Sequence, residues 1–253
     1  MGLLENRVGL VTGAAQGIGK GIVERMIAEG AAVAVNGRVD DDRLRAVCRE
    51  TGGFAAPGDI ADVASMDAMV TAVEAEFGHV DLLVCNAARM TMMPFLEQQP
   101  DRWWEQIDVN LSGHMQLVTR VLPGMRERGR GWIVLISSLW GPIGWKNASG
   151  YASTKSALIA LGRALGRELA PEGIYCSVVA PGIIDTPQLQ VDADDAGISL
   201  AEMHAVYAQN IPAGRIGTPA DIAAAVTFLC TDVAAAYVGQ VVDPNGGEIR
   251  CSM

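Results

Sequence analysis

Short apolar runs rich in β-branched residues recur along the chain, and amphipathic stretches of helical length separate them. This alternation is typical of a parallel sheet, because parallel strands need a crossover connection and usually use a helix for it. The pattern predicts strands over residues 8–12, 32–36, 53–56, 81–85, 131–137, 175–180 and 240–242. It predicts helices over residues 17–29, 41–50, 62–77, 101–128, 151–170 and 219–231.

The fifth predicted strand is apolar from Trp132 to Ile136, so we expect it near the centre of a sheet that is covered on both faces. No repeat, low-complexity run or Pro/Ser-rich linker divides the chain, which predicts one domain over residues 1–253. Residues 187–197 are acidic and poor in strand formers, and a short helix is expected over 200–210. Irregular segments often cover binding sites, so residues 187–210 are predicted to form a flap over a substrate.

Composition excludes several classes of function. The net charge is −10 without a basic stripe, which argues against nucleic acids and anionic membranes as partners. No apolar run reaches the roughly 18 residues of a membrane span and no secretory signal is recognisable, so a cytoplasmic location is expected. Three scattered histidines predict no metal site. Free thiols are predicted for the five scattered cysteines, Cys48, Cys85, Cys176, Cys230 and Cys251.

The first predicted strand runs directly into a glycine-rich segment that opens a helix. Glycines allow the backbone to approach a pyrophosphate, and the helix N-terminus offers it free N–H groups. The P-loop pattern of nucleotide triphosphatases is excluded, since Ala14 and Gly21 stand where that pattern needs glycine and a hydroxyl residue. A dinucleotide is predicted to bind here, with glycines that only shape a tight turn as the alternative. The candidate contacts are Gly13, Gln16, Gly17, Ile18 and Gly19.

The residues after the second strand bear on which dinucleotide binds. An acidic residue there would bind the ribose 2′-hydroxyl of NAD, whereas an arginine accommodates the 2′-phosphate of NADP. Position 37 is glycine and Arg38 follows, so the sequence favours NADP(H), with NAD(H) as the second option. The alternative is that Arg38 is solvated and pairs with the acidic residues 40–42. Gln16 supplies no second cation.

Tyr151 and Lys155 are four residues apart at the start of a predicted helix, so their side chains share one face. A free tyrosine has a pKa near 10, and a cation one turn away is expected to lower that pKa toward neutrality. The pair follows Ser138 at the carboxyl end of a central strand, which is where open α/β sheets bind ligands.

These features together resemble the short-chain dehydrogenase/reductase family over almost the whole chain. The resemblance implies a single Rossmann-type domain with a doubly wound, seven-stranded parallel sheet and helices on both faces, usually assembled as a homotetramer. The matching residues, in the family's order and at its intervals, are Thr12-Gly13-x-x-x-Gly17-Ile18-Gly19, Asp59-Ile60, Asn86-Ala87, Asn110, Ser138, Tyr151-x-x-x-Lys155, Pro181-Gly182 and Thr186.

The resemblance also implies roles. Tyr151 would be the general acid or base, Ser138 would bind the substrate oxygen, and Asn110 would hold a water in a proton relay behind Lys155. Lys155 would bind the nicotinamide ribose and lower the pKa of Tyr151. The adenine would contact Asp59 and the Ile60 backbone, the ribose region would contact Asn86 with Ala87, and the nicotinamide would be fixed by Pro181, Gly182, Ile184 and Thr186.

Two segments depart from the family pattern. The family usually has Asn-Asn-Ala-Gly where this chain has Cys85-Asn86-Ala87-Ala88, and alanine takes positive φ less readily than glycine. The tail Asp243–Glu248 carries a proline and an acid where a plainer turn is expected. Trp140, Trp145 and Met90 are candidate walls of a substrate pocket, with core or subunit packing as the alternative for the tryptophans.

The sequence therefore predicts an NADP(H)-preferring oxidoreductase that interconverts a ketone or aldehyde with its alcohol. Two alternatives are carried. One is a 3-oxoacyl-thioester reductase, which shares these motifs, and the other is a non-catalytic sensor or scaffold that binds a dinucleotide.

Overall fold

All seven predicted strands lie in one parallel sheet in the computed structural model, which describes residues 2–249. The strands are β1 (Val8–Val11), β2 (Ala32–Val35), β3 (Phe54–Ala55), β4 (Leu82–Cys85), β5 (Gly131–Ile136), β6 (Ile174–Val179) and β7 (Val241–Val242). Their order across the sheet is β3-β2-β1-β4-β5-β6-β7, so the predicted doubly wound α/β fold is confirmed.

The direction of winding reverses between β1 and β4. From β1 the chain builds outward to β3, then returns and places β4 on the other side of β1. Val11 accordingly pairs with Val35 on one side and with Val84 on the other. Loops that leave adjacent strands in opposite directions open a crevice at the carboxyl ends of those strands, and ligands bind there in open α/β sheets.

Helices cover both faces of the sheet. The helices are α1 (Gly17–Ala28), α2 (Asp42–Thr51), α3 (Val63–Phe77), α4 (Pro100–Ile107), α5 (Gly113–Arg128), α6 (Trp140–Ile143), α7 (Ser149–Leu169), α8 (Pro187–Ala196), α9 (Leu200–Ala208) and α10 (Pro219–Leu229). One apolar core joins α1, α2 and α10 to the sheet, and a second joins α3, α5 and α7 to the opposite face. The β5 strand is buried along its whole length, as expected of a central strand.

The helix predicted over 101–128 is not regular. It consists of α4 and α5 joined by a π-helical turn, Asp108–Ser112, which has an extra residue in the turn. Such turns are frequent at functional sites, and this one contains Asn110. Because the chain stays helical through this turn, the sequence pattern predicted one continuous helix.

The prediction that residues 187–197 are irregular is wrong, because they form α8. Pro187 occupies the first turn and Gly197 ends the helix in the left-handed conformation, both favourable positions for these residue types. Leu189 and Ala193 on α8 pack against Met203 on α9, which gives the flap a small core of its own. The flap of residues 187–210 is thus a helical hairpin.

Within residues 2–249, no helix is long and apolar enough to cross a membrane. Cys48, Cys85, Cys176 and Cys230 are free thiols, as predicted. Cys251 lies outside the described residues.

Candidate active site

Two connected hollows lie along the carboxyl edge of the sheet. The larger, about 630 Å³, follows the loops after β1, β2, β3 and β4. The smaller, about 210 Å³, lies beside the end of β5 and is lined in part by Leu189 and Asp192 of α8 and by Tyr207 of α9. Ile18, Asn86, Ala88, Thr186 and Gln188 line both hollows, so the two spaces form one cleft.

The glycine-rich loop forms the floor of the larger hollow. Gly13 and Gly17 have φ values of +61° and +55°, which favour glycine. A Cβ at position 13 would lie 2.7 Å from the Ala87 Cα, and one at position 19 would lie 2.6 Å from the Asn86 Nδ2. Gln16 precedes α1 without capping it through its side chain, so the first backbone N–H groups of α1 remain available to an anion.

Buried polar side chains hold the loops of this hollow together. Asn86 donates from Nδ2 to the Thr12 carbonyl at 2.9 Å and to the Gly13 carbonyl at 3.1 Å. Thr12 Oγ1 accepts the backbone N–H groups of Asn86 and Ala87 at 2.9 and 3.0 Å. These contacts join the loops after β1 and β4, the two strands that flank the reversal of winding.

Asn36, at the end of β2, has an equivalent role that the sequence analysis missed. It is 2% exposed, and Nδ2 donates to the carbonyls of Ala56 and Gly58, both at 2.9 Å. Its Oδ1 accepts the Gly13 N–H at 3.2 Å. One side chain therefore fixes three loops of the hollow. The available signal was a single polar residue at the end of an apolar strand.

Arg38 and Arg43 both line one end of the larger hollow, the end at which the sequence predicts that the adenosine binds. The alternative for Arg38, pairing with residues 40–42, is not observed, because Asp40 pairs with Arg45 at 2.8 Å. Among residues 2–249, Arg38 has no ion-pair partner. Arg43, which the sequence analysis did not select, donates to the Gln16 Oε1 at 3.1 Å.

Asp59 and Ile60 form the opposite wall of this end of the hollow. The Asp59 Oδ1 accepts the backbone N–H of Ala61 at 2.9 Å, and the Asp59 N–H donates to Ser65 Oγ at the same distance. Ile60 is 3% exposed and its carbonyl lies against Gly113 at the start of α5. The loop after β3 is therefore held in place by both α3 and α5.

Ser138 and Tyr151 meet in the smaller hollow. Ser138 follows β5, Tyr151 lies in the first turn of α7, and both side chains line this hollow. The Trp140 backbone N–H donates to Ser138 Oγ at 3.2 Å and helps to orient it. Burial raises the pKa of Tyr151 to about 12, although the nearby Ser138 hydroxyl acts to lower it. The expected lowering of this pKa is thus absent, and the phenol remains protonated at neutral pH.

Lys155 lies one turn beyond Tyr151, with its Nζ 5.4 Å from the centre of the Tyr151 ring. The lysine is 1% exposed, and Nζ donates to the Ile136 carbonyl at 2.8 Å. Burial lowers the pKa of Lys155 to about 7. Ser137 Oγ donates to the Lys155 carbonyl at 2.7 Å, so the end of β5 holds both the main chain and the side chain of this lysine.

Asn110 connects the loop after β4 to α7. Its Oδ1 accepts the Arg89 N–H at 2.7 Å, and its Nδ2 donates to the Arg89 carbonyl at 2.8 Å and to Thr154 Oγ1 at 3.0 Å. Thr154 Oγ1 in turn donates to the Tyr151 carbonyl at 2.8 Å. Asn110 is fully buried and lies in the π-helical turn, which brings it between the two elements.

The segment after β6 closes the cleft. Pro181 accepts the Leu139 N–H at 3.0 Å, and Gly182 lies so close to Asn245 that a Cβ would be 2.8 Å from the Asn245 Cα. Ile184 is bridged to Gly217, and Thr186 faces Gly17 across the junction of the two hollows. The four residues predicted to fix a nicotinamide, Pro181, Gly182, Ile184 and Thr186, all line the smaller hollow.

The aromatic candidates differ in position. Trp140 and Met90 line the smaller hollow, and the Trp140 ring meets the Tyr151 ring edge-on with centroids 6.0 Å apart. Trp145 stacks on Trp140 at 5.2 Å but is 44% exposed and is not among the lining residues of the hollow. Trp145 thus supports the wall from outside.

The backbone conformation at position 88 is one that alanine adopts without strain. Among residues 2–249, the only residues other than glycine with positive φ are Asn6 and Asn147, so Ala88 needs no left-handed conformation. Its methyl group lies at the junction of the two hollows. In the same part of the chain, residues 2–249, no three His, Cys, Asp or Glu side chains are grouped as metal ligands.

Comparisons with known proteins agree with this arrangement. A family model described as Enoyl-(Acyl carrier protein) reductase matches residues 13–248. The chain belongs to the short-chain dehydrogenase/reductase family. It is 35% identical over 245 residues to 3-oxoacyl-[acyl-carrier-protein] reductase FabG of Escherichia coli, covering 96% of this chain and 97% of that one. It is 33% identical over 243 residues to acetoacetyl-CoA reductase of Rhizobium meliloti, covering 96% and 98%.

Solved structures are similar over the same length. A 3-ketoacyl-(acyl-carrier-protein) reductase from Brucella melitensis, complexed with NADH, has a TM-score of 0.89 at 30% identity, covering 97% of this chain and 99% of that one. Levodione reductase has a TM-score of 0.91 at 30% identity, covering 97% and 98%. This short-chain dehydrogenase/reductase is an oxidoreductase that uses a nicotinamide dinucleotide to interconvert a carbonyl group and an alcohol.

The larger hollow of this short-chain dehydrogenase/reductase fits a dinucleotide. Its floor consists of glycines that no larger residue could replace, its centre faces the N-terminus of α1, and one end carries two arginines. The other end opens at Thr186 into the hollow that holds Tyr151 and Lys155. A molecule that extends along this path would have its anionic middle at the helix N-terminus and its far end beside the tyrosine.

Proposed function

We propose that this chain is an NADP(H)-preferring reductase of ketones or aldehydes, which also oxidises the corresponding alcohols. The observation that carries the proposal is that Ser138, Tyr151 and Lys155 line one hollow, with Lys155 one helical turn from Tyr151, and that this hollow opens into the larger one. A carbonyl group placed there would meet two hydroxyl donors on one side and the dinucleotide hollow on the other.

In reduction, the bound dinucleotide supplies a hydride to the carbonyl carbon, and the protein supplies the proton. Tyr151 donates that proton to the carbonyl oxygen, for which a phenol that stays protonated at neutral pH is the suitable form. Ser138 donates a hydrogen bond to the same oxygen and polarises it. In alcohol oxidation the same tyrosine would have to act as a base, and its raised pKa makes that direction more demanding of alkaline pH.

Lys155 is proposed to stabilise the Tyr151 phenolate that remains after proton donation. In its protonated form, which its pKa of about 7 makes about half populated at neutral pH, Nζ lies close enough to the ring for its charge to matter in a buried site. Asn110 is proposed as a positioning residue, because its hydrogen bonds fix the loop after β4 against Thr154 on α7. The water that the family resemblance assigns to Asn110 remains a prediction.

The preference for NADP(H) is supported by two arginines at the adenosine end. Arg38 has no carboxylate partner among residues 2–249, and Arg43 reaches across the hollow to Gln16. A 2′-phosphate bound between them would gain charge-assisted hydrogen bonds that a 2′-hydroxyl of NAD(H) could not match. Asp41 also lines this end, and its salt bridge to Arg43 at 3.8 Å partly offsets its repulsion of a phosphate.

A 3-oxoacyl-thioester reductase is the second candidate, since the relatives in Escherichia coli and Rhizobium meliloti bear the names of such enzymes. A homotetramer in the cytoplasm remains the proposed assembly and location. Large exposed apolar side chains such as Leu96 (94% exposed) and Trp104 (61% exposed) offer surface for association. Sedimentation of the purified chain would measure the assembly directly.

The test is turnover of a panel of free ketones and aldehydes with NADPH and with NADH, beside acetoacetyl-CoA as the thioester. Tyr151→Phe is the matched variant, because it removes the proton donor and keeps the ring. We expect reduction of free carbonyls, and a loss of kcat of about 100- to 10,000-fold in Tyr151→Phe with NADPH binding retained. A higher kcat/KM on acetoacetyl-CoA than on every free ketone would favour the second candidate. Tight NADPH binding without any turnover would instead indicate a sensor or scaffold.

A further inference from the structure

The lysine, arginine, aspartate and glutamate positions of the flap over the smaller hollow are all acidic. Residues 187–210 contain four carboxylates, Asp192, Asp194, Asp195 and Glu202, and no lysine or arginine. The single histidine in this range, His204, faces Asp185 just before the flap at 3.4 Å. A substrate that enters beneath the flap therefore passes a surface with no fixed positive charge to attract an anion.

One of these carboxylates lines the substrate hollow itself. The walls are mainly apolar and include Met90, Leu139 and Leu189, whereas Asp192 and Tyr207 add polar groups from the flap. Asp192 Oδ1 accepts from Gln188 Nε2 at 3.0 Å, and Oδ2 accepts from the Tyr207 hydroxyl at 3.4 Å. Neither partner is charged, so no cation is paired with this carboxylate where it lines the hollow.

Among residues 2–249, the only lysine or arginine that lines this hollow is Lys155, and its Nζ is directed to the Ile136 carbonyl. Trp140 also lines the hollow, but its Nε1 is buried and out of reach of a bound molecule. Asp192 is therefore the charged acceptor that the flap adds to a mainly apolar wall. A substrate that satisfies it must carry a hydrogen-bond donor besides its reacting carbon.

We propose that Asp192 determines specificity for a compact, uncharged hydroxyketone and for the diol formed from it. The inference rests on the proposed carbonyl reduction and names its substrate class. A hydroxyl group donates a hydrogen bond without carrying a charge, so it suits Asp192. The nicotinamide predicted to bind here would take part of the hollow of about 210 Å³, which as a whole is already below the range of pockets for drug-sized ligands. The remaining space limits the substrate to about one ring or a short chain.

The same features disfavour phosphate-bearing substrates. Thioesters of coenzyme A or of a carrier protein bring phosphate groups to the mouth of the site, where the flap offers only carboxylates.

The experiment compares kcat/KM for four ketones of nearly equal size with NADPH: cyclohexanone, 4-methylcyclohexanone, 4-hydroxycyclohexanone and 4-oxocyclohexanecarboxylate. The methyl compound controls for size and the carboxylate tests charge. We expect the hydroxyketone to exceed the methylketone by about 10- to 100-fold, as for a hydrogen bond to a charged group, and the carboxylate to be the poorest.

Two variants locate the effect. Asp192→Ala is expected to reduce the hydroxyl-to-methyl ratio to near one and to raise activity on the carboxylate. Asp195→Ala, which removes an equal charge from an exposed position on the same helix, is expected to leave both ratios unchanged. If Asp192→Ala does not fold, as shown by a loss of NADPH binding, Asp192→Asn takes its place. Asp192→Asn is expected to lower the hydroxyl-to-methyl ratio less than Asp192→Ala would, and to raise activity on the carboxylate by the same amount.

Failure of the inference and failure of the proposed function give different results. If the wild type reduces all four ketones with a hydroxyl-to-methyl ratio near one, the role of Asp192 is wrong and carbonyl reduction stands. If Asp195→Ala changes the kcat/KM ratios as much as Asp192→Ala does, the selectivity comes from the overall negative charge of the helix, and the specific role proposed for Asp192 is wrong. If no ketone is reduced although NADPH binds, both proposals are overturned.

Discussion

Lys155 Nζ donates to the backbone carbonyl of Ile136 at 2.8 Å, at the end of the central strand. No carboxylate of residues 2–249 pairs with this buried ammonium group, so a neutral carbonyl is its hydrogen-bond partner. Removal of a lysine from water without a counter-charge disfavours the protonated form, and the pKa falls from 10.5 to about 7. The lysine needed beside Tyr151 is therefore expected to reduce the stability of the folded chain.

The first prediction concerns how the loss of folding stability caused by burying Lys155 depends on pH. Between pH 7 and pH 10.5 the lysine is protonated in the unfolded chain and largely neutral in the folded one, so unfolding takes up a proton and stability rises with pH. Lys155→Met removes this dependence. The variant should be more stable than the wild type near pH 7, and its advantage should shrink by about 2 kcal/mol by pH 9.

Urea unfolding at several pH values measures this difference. Subtracting the free energy of unfolding of the variant from that of the wild type at each pH cancels the contributions of other groups. These groups include the buried thiols of Cys176 and Cys230, whose pKa values burial raises to about 12. Lys146→Met, at an exposed position, is the control and should follow the wild type at every pH. Parallel stability curves for wild type and Lys155→Met would show that the lysine is not desolvated as described.

The second prediction concerns the choice of dinucleotide. Arg38→Ala and Arg43→Ala should each weaken NADPH binding by about tenfold or more, because each removes a cation from the adenosine end of the larger hollow. NADH binding should change little, since its 2′-hydroxyl carries no charge. Fluorescence titration of both dinucleotides checks this.

Arg49→Ala provides the control for the arginine variants, because Arg49 is exposed on the same helix, α2, and does not line the hollow. Its affinities for both dinucleotides should equal those of the wild type. An equal loss of NADPH and NADH affinity in Arg38→Ala would mean that this arginine supports the adenosine loop and does not bind a 2′-phosphate.

The sequence predicted the fold because strand and helix periods alternate without interruption, and the sheet order confirms it. Tyr151 and Lys155 were selected by their spacing and Ser138 by the family resemblance, and all three stay predicted catalytic residues, which the fold brings into the wall of one hollow. The helix α8 was not predicted, because its acidic sequence lacks an apolar stripe and packs mainly through Leu189 and Ala193. Its Pro187 and Gly197 were usable signals.

Other features depend on three-dimensional contacts that spacing does not encode. The π-helical turn around Asn110 alters the helix by one residue, which a periodicity of 3.6 cannot resolve over so short a segment. The pKa of Tyr151 was expected to fall, since the sequence shows the nearby lysine but not the burial that dominates it. Arg43 was missed because its reach to Gln16 depends on how α2 packs beside α1.

The third prediction concerns Asn36, whose Nδ2 faces the Ala56 and Gly58 carbonyls. Asn36→Ala should lower the free energy of unfolding by about 2–3 kcal/mol, because buried carbonyls lose their donor, and should weaken both dinucleotides alike. Asn36→Asp keeps the shape but replaces the donor by an acceptor, so it should be at least as destabilising as alanine. A mild effect of Asn36→Asp would show that Oδ1, which accepts the Gly13 N–H, is the atom that matters.

The fourth prediction separates the two stacked tryptophans. Trp140 lines the substrate hollow and touches the Tyr151 ring, whereas Trp145 covers the outer face of Trp140 and is nearly half exposed. Trp140→Ala should enlarge the hollow, so that kcat/KM for cyclohexanone falls by about tenfold while bulkier ketones, such as 1-tetralone, become better substrates relative to it. Trp145→Ala should lower stability without changing that ratio. Both variants should retain NADPH binding, because neither ring lines the larger hollow. A change of the ketone ratio in Trp145→Ala equal to that in Trp140→Ala would mean that the stacked pair moves as a unit, and that the wall of the substrate site extends to Trp145.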